Sequence, residues 1–189
     1  MMNIHSLFAV VATTSSLSIF AQQRPNIIFL MTDDQSFRSI SALGNSSVKT
    51  PNLDRLVAKG VTFNSHYATT SISMASRAIV MTGMYEYKTG CNFTFGSLSP
   101  EKFEGSYPVI LRENGYFTGF AGKFGFAIDK LGREGVNSYN VLPVDRFDIW
   151  GGGTGQTDYE TAKNQYIEQY ADEYPHSSRA YGAFSCDFI

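Results

Sequence analysis

Residues 26–31, Asn-Ile-Ile-Phe-Leu-Met, form a short, unbroken apolar run that opens directly onto Thr32-Asp33-Asp34-Gln35. A strand with one wet face alternates apolar and polar residues. An unbroken run of this length reads instead as a strand buried on both faces, as in a parallel sheet covered by helices. That requirement points to the α/β class, and open sheets of this class bind ligands at the carboxyl ends of their strands. The two aspartates stand at that end.

The rest of the chain continues the same grammar. Thr50-Pro51-Asn52-Leu53-Asp54-Arg55-Leu56-Val57-Ala58-Lys59-Gly60 predicts a helix. Thr50 is placed to cap it, Pro51 suits its first position, and Gly60 suits a left-handed C-terminal residue. Residues 61–68 alternate like a strand. A short helix is expected over 76–81, ending near Gly83, and another over 107–114, stopped by Gly115. Residues 116–121 predict a further strand closing on Lys123. The glycine run at 151–155 reads as a flexible loop, and 159–173 and 177–188 as helices. The expected architecture is a mostly parallel central sheet flanked by helices. No internal repeat or low-complexity linker interrupts it. The amphipathic pattern meets no helix stop before Ile189, so the domain is expected to be incomplete at its C-terminus.

Composition bounds the function. The chain has 189 residues, 43% of them hydrophobic and 17% charged, enough apolar material for one core. The 14% aromatic content argues against disorder, and a net charge of -2 excludes a polycation built to neutralise nucleic-acid phosphates. Residues 1–23 lack Lys, Arg, Asp and Glu. An apolar stretch at 7–12 leads through small residues to Ala21, which predicts a secretory signal over residues 1–21, although its start lacks the usual Lys or Arg. A secreted or periplasmic protein is expected, and the segment is too short and interrupted to span a bilayer. Cys91 and Cys186 are too few for a disulfide framework and have no zinc-site spacing; one bridge and two free thiols both remain open.

Two clusters carry chemistry. Adjacent Asp33 and Asp34 repel each other unless a cation or open water lies near, and calcium and magnesium favour such oxygen ligands. A solvated acidic turn is the plainer alternative. Ser73 follows the hydroxyl-rich Thr69-Thr70-Ser71-Ile72 and precedes a helix, whose amino end favours anions. Arg77 lies four residues on, one turn away on the same face. A serine cap with a surface arginine is the plainer reading of that spacing.

Ser73-Met74-Ala75-Ser76-Arg77, continued to Thr82-Gly83, resembles the signature of the sulfatase family. In that signature Cys or Ser is followed by any residue, Pro or Ala, Ser and Arg, and later by Thr-Gly. Residues 24–35 are similar to the family's first strand and metal-binding pair, 50–56 to its first helix, and 119–123 to the strand before its sulfate-contacting lysine. The resemblance runs from about residue 24 to the end, so residues 24–189 are expected to be the N-terminal portion of a catalytic domain with the alkaline-phosphatase-like fold. It implies that a maturation enzyme oxidises Ser73 to formylglycine. It further implies that Asp33, Asp34 and the modified Ser73 ligate one calcium ion. Arg77 would hold the formylglycine hydrate, and Lys123 would neutralise the sulfate. The implied substrates are sulfated small molecules or glycans. Phe124-Gly125 departs from the family's Trp-His, and neither His66 nor His176 is assigned the missing role. The remaining metal ligands and the general acid are expected beyond Ile189, so the chain alone is expected to be inactive. A phosphatase or phosphodiesterase of the same superfamily with unmodified Ser73, and a non-catalytic fragment, are the alternatives.

Overall fold

A computed structural model of the chain describes residues 24–130, 141–153 and 155–189. The expected signal segment lies outside the described residues. Among the described residues, six α-helices, α1 (Pro51–Lys59), α2 (Ser73–Thr82), α3 (Glu86–Thr89), α4 (Pro100–Phe103), α5 (Tyr107–Glu113) and α6 (Ser177–Phe188), accompany two strands, β1 (Gly119–Lys123) and β2 (Ile149–Gly153). The strands pair in parallel, with Gly119 opposite Ile149 and Lys123 opposite Gly153.

Asp148 sets that register. It accepts the Thr118 backbone N–H at 2.7 Å, the Thr118 hydroxyl at 3.1 Å and the Arg112 Nε–H at 3.0 Å. The amides of Asp148 and Ile149 in turn donate to the Thr118 carbonyl. One carboxylate thereby aligns the starts of both strands and ties them to α5. Burial alone would raise its pKa; the Thr118 bonds and Arg112 outweigh that and hold it below the ordinary carboxylate value.

The core is aromatic. Phe120 stacks on Trp150 across the two strands at 4.8 Å, and Phe124, Phe126 and Phe147 extend the cluster. Met74, Ala78 and Met81 of α2, Phe103 of α4 and Val109 of α5 close it. A second cluster seats Ala180 and Phe184 of α6 beside Ile167.

Several expectations are corrected. The glycine run is not a loop: Gly151, Gly152 and Gly153 are the body of β2. A Cβ at Gly151 would lie 3.0 Å from the Phe184 ring, and one at Gly152 would lie 2.5 Å from the Trp150 indole. Close packing against α6 and the aromatic cluster requires the missing side chains, and this tertiary demand overrides glycine's poor strand propensity. Residues 26–31 are not a buried strand. They run as exposed chain, with Leu30 76% exposed, because no strand among the described residues pairs with them. Residues 61–68 are likewise exposed and irregular despite their alternation. Residues 159–173 hold short 3-10 turns at Thr161–Lys163 and Glu168–Tyr170, not a helix.

Boundary details differ as well. Helix α2 begins at Ser73, three residues earlier than expected, and ends at Gly83 in the left-handed region (φ 67°). Gly60 is extended (φ -112°), and Thr50 makes no capping bond to the backbone of α1. Its hydroxyl donates instead to Asp54, which also receives Ser41 Oγ at 2.6 Å and the Ala42 amide at 2.9 Å. Asp54 thus fastens the preceding turn to α1.

Candidate active site

Ser73 is the first residue of α2, and its backbone follows Ile72, which is extended. The approach is anchored where Thr70 Oγ1 donates to Glu86 at 2.7 Å, tying the hydroxyl-rich segment to α3. Met74, Ala75, Ala78 and Met81 bury one face of α2 in the core. That fixes the opposite face, which carries Ser73 and Arg77 one turn apart. Arg77 Nε donates to Ser73 Oγ at 3.2 Å, and a guanidinium nitrogen donates to the Lys123 carbonyl.

Lys123 ends β1, so its ammonium sits at the carboxyl edge of the parallel pair. It donates to Asp33 Oδ2 at 2.8 Å and to Gln156 Oε1 at 2.6 Å. Asp33 also faces Arg77 at 3.6 Å. The cationic side chains are largely covered, 11% and 12% exposed, whereas Asp33 is 53% exposed. The Lys123 hydrogen bond holds the Asp33 carboxyl below the ordinary carboxylate range. Partial burial opposes that effect, and the charges of Lys123 and Arg77 reinforce it.

The structure therefore brings together Asp33, Ser73, Arg77 and Lys123, which lie up to ninety residues apart in sequence. Although residues 26–31 form no strand, they still deliver Asp33 to the carboxyl edge. Asp34 is exposed, adopts a left-handed backbone (φ 57°), and takes no part in these ion pairs. Among the described residues, no group of three or more His, Cys, Asp or Glu side chains is arranged to hold a metal ion. Of the histidines, His176 accepts the Ser178 amide at 3.3 Å and caps α6, while His66 lies in the exposed segment 61–68.

Gln156 was invisible to sequence reasoning. It lies three residues beyond β2, and finding it requires knowing that the glycine run is a strand parallel to β1. Both cysteines are free, Cys91 buried and Cys186 exposed. No helix among the described residues is long and apolar enough to cross a membrane.

An arrangement of two covered cations, a helix amino terminus and a hydroxyl suits an anionic tetrahedral group beside a nucleophile. Comparison with known proteins agrees with that chemistry. A family model described as sulfatase matches residues 25–181. The N-acetylglucosamine-6-O-sulfatase of Bacteroides thetaiotaomicron is 32% identical over 120 residues, 64% of this chain and 21% of that protein. The N-acetylgalactosamine-6-O-sulfatase of the same organism is 36% identical over 121 residues, 62% of this chain and 23% of that protein. Human arylsulfatase H is 36% identical over 121 residues, 59% of this chain and 22% of that protein. A solved structure of a protein in complex with its substrate D-glucosamine-2-N,6-O-disulfate superposes with a TM-score of 0.57 at 29% identity. It covers 74% of this chain and 26% of its own. The chain thus spans about a fifth of the length of these curated relatives.

Proposed function

We propose, for a chain that belongs to the sulfatase family, that the protein hydrolyses sulfate esters of carbohydrates, with Ser73 as the precursor of its nucleophile. The observation that carries this reading is the convergence of Arg77 and Lys123 on Asp33, with Arg77 reaching Ser73 Oγ from the same place. Carbohydrate substrates are favoured because two of the relatives are named for amino-sugar sulfates and the solved structure holds a disulfated glucosamine.

Each residue has a part in this reading. Arg77 Nε, 3.2 Å from Ser73 Oγ, orients the oxygen at position 73. The Lys123 ammonium and the free amides of the first turn of α2 receive the negative sulfate oxygens. Asp33 bridges the two cations and offsets their mutual repulsion, so charge stabilisation needs little rearrangement when the substrate arrives. Gln156 holds the Lys123 ammonium from the opposite strand's loop.

Oxidation of Ser73 to formylglycine by a maturation enzyme would supply, as the hydrate, a stronger oxygen nucleophile than serine. Calcium would be held by Asp33, Asp34 and residue 73. These are hard oxygen donors of the right type, and they fill only part of the roughly six to eight positions calcium takes. A bound ion would lower the cost of ionising the hydroxyl and of holding sulfate. Export to the periplasm or cell exterior, with cleavage after Ala21, completes the proposal.

The test is assay of the full-length, matured protein on a panel of sulfated glycans and an aryl sulfate, with Ser73→Ala as control. Turnover in the parent and none in Ser73→Ala is expected; undiminished turnover in Ser73→Ala would overturn the mechanism. Mass spectrometry of the peptide bearing residue 73 should show the loss of two hydrogens from serine. An unmodified serine in protein co-expressed with its maturation enzyme would count against formylglycine and in favour of the phosphatase-like alternative. Intact mass of the exported protein reads the cleavage site.

A further inference from the structure

We infer that Gly125 is a positioning residue for Arg77: the space left by its missing side chain is the space through which the arginine reaches Ser73. Gly125 follows β1 by two residues and adopts φ 83°. A Cβ there would lie 2.5 Å from Arg77 Cδ, 3.0 Å from Nε and 3.6 Å from Lys123 Cε. Real Cβ atoms do not tolerate the 2.5 Å approach to Cδ, so the arginine or the backbone must move.

Neither has freedom to do so. The backbone at 125 is pinned by Phe124 and Phe126, both 1% exposed and packed ring against ring with centroids 4.3 Å apart. Arg77 is pinned at its tip by three contacts, to Ser73 Oγ, the Lys123 carbonyl and Asp33. The clash falls on Cδ, in the middle of the side chain, where swinging the tip gives no relief. Any side chain at 125 therefore evicts the guanidinium from Ser73.

Gly122 supplies a matched control. It also has a left-handed backbone (φ 104°), but a Cβ there meets nothing within 4 Å. Gly125→Ala and Gly122→Ala share backbone strain and differ in the clash with Arg77. The inference rests on the proposed function only in taking Ser73 as the reactive position, and the structural readouts below do not need turnover.

The experiment follows the Arg77 Nε–H NMR signal, the melting temperature and steady-state kinetics in the full-length protein. The variants are Gly125→Ala, Gly122→Ala, Arg77→Ala and Arg77→Ala/Gly125→Ala. Gly125→Ala should shift or broaden the Arg77 signal and lower kcat about 100-fold, the scale of a 1 Å misplacement. Gly122→Ala should leave the signal in place. Gly125→Ala should also melt lower than Gly122→Ala, and adding Arg77→Ala should recover the difference, because the clash leaves with the side chain. If Gly125→Ala does not fold, folding of the double variant supports the inference and its failure to fold overturns it. An unmoved Arg77 signal in Gly125→Ala, or strictly additive melting losses, also overturns it. A parent without sulfatase turnover would sink the proposed function while the NMR and melting results still decide on Gly125.

Discussion

At the scale of single residues, the site is a charge arrangement in which one exposed carboxylate, Asp33, serves two covered cations. Removing a cation that acts on developing charge costs more than its ground-state contacts suggest, because that charge is met fully only in the transition state. Lys123→Ala in the full-length protein is accordingly expected to lower kcat about 10²- to 10³-fold with a smaller change in KM, read by steady-state kinetics. Arg77→Lys should not substitute for arginine, since a single ammonium cannot serve Ser73 Oγ, the Lys123 carbonyl and Asp33 together. The thiols separate in the same way. Burial pushes the Cys91 thiol up to about 12, while Cys186 stands exposed on α6. A thiol reagent at neutral pH should label Cys186 in the folded protein and Cys91 only after unfolding, as read by peptide mass mapping. The Ser73–Arg77 pair was legible in the sequence because helical spacing alone brings residues i and i+4 together. Gln156 and the role of Gly125 were not, because each depends on a neighbour from a distant segment.

At the scale of elements, β2 shows how packing can outweigh propensity. Gly151→Val should restore strand propensity and yet destabilise the protein by about 1–3 kcal/mol, because the added branch enters the space of the Phe184 ring. Denaturant titration measures this. The junction of α5 with the two strands should be acid-sensitive through Asp148. Its folded pKa lies below the 3.8 of the free side chain, so its contribution is present above that value and is lost as the pH falls through the folded pKa. Melting temperature should therefore drop steeply below about pH 4, and Asp148→Asn should melt lower at pH 7 with a shallower acid slope. The helices α1, α5 and α6 could be read from the chain because their apolar spacing and flanking residues are local signals. The apolar run at 26–31 and the alternation at 61–68 carried equally clear strand signals, and both failed for one reason. A strand is completed by a partner, and a pattern specifies the need for one without providing it.

At the scale of the whole molecule, those unpaired segments leave a broad apolar surface. Ile27, Ile28, Phe29, Leu30, Val61, Phe63 and Tyr67 are each more than half exposed. Exposed apolar side chains in such number favour association. The 189-residue chain on its own is expected to bind a hydrophobic dye and to self-associate in light scattering. Ile28→Thr with Leu30→Thr should weaken both, and a monodisperse, dye-silent parent chain would contradict the expectation. The sequence by itself determined the family and the α/β class, and it singled out a helix beside Ser73 together with Asp33, Ser73, Arg77 and Lys123, because motifs and helical periodicity are short-range properties of the chain. Only the tertiary structure decided that a run of glycines is a strand, that the most strand-like segment is unpaired, and that Asp33 and Lys123 meet ninety residues apart. These depend on which surfaces find each other, and for close-packed surfaces the space a neighbour leaves, as Gly125 leaves it for Arg77, matters as much as the preference of the residue itself.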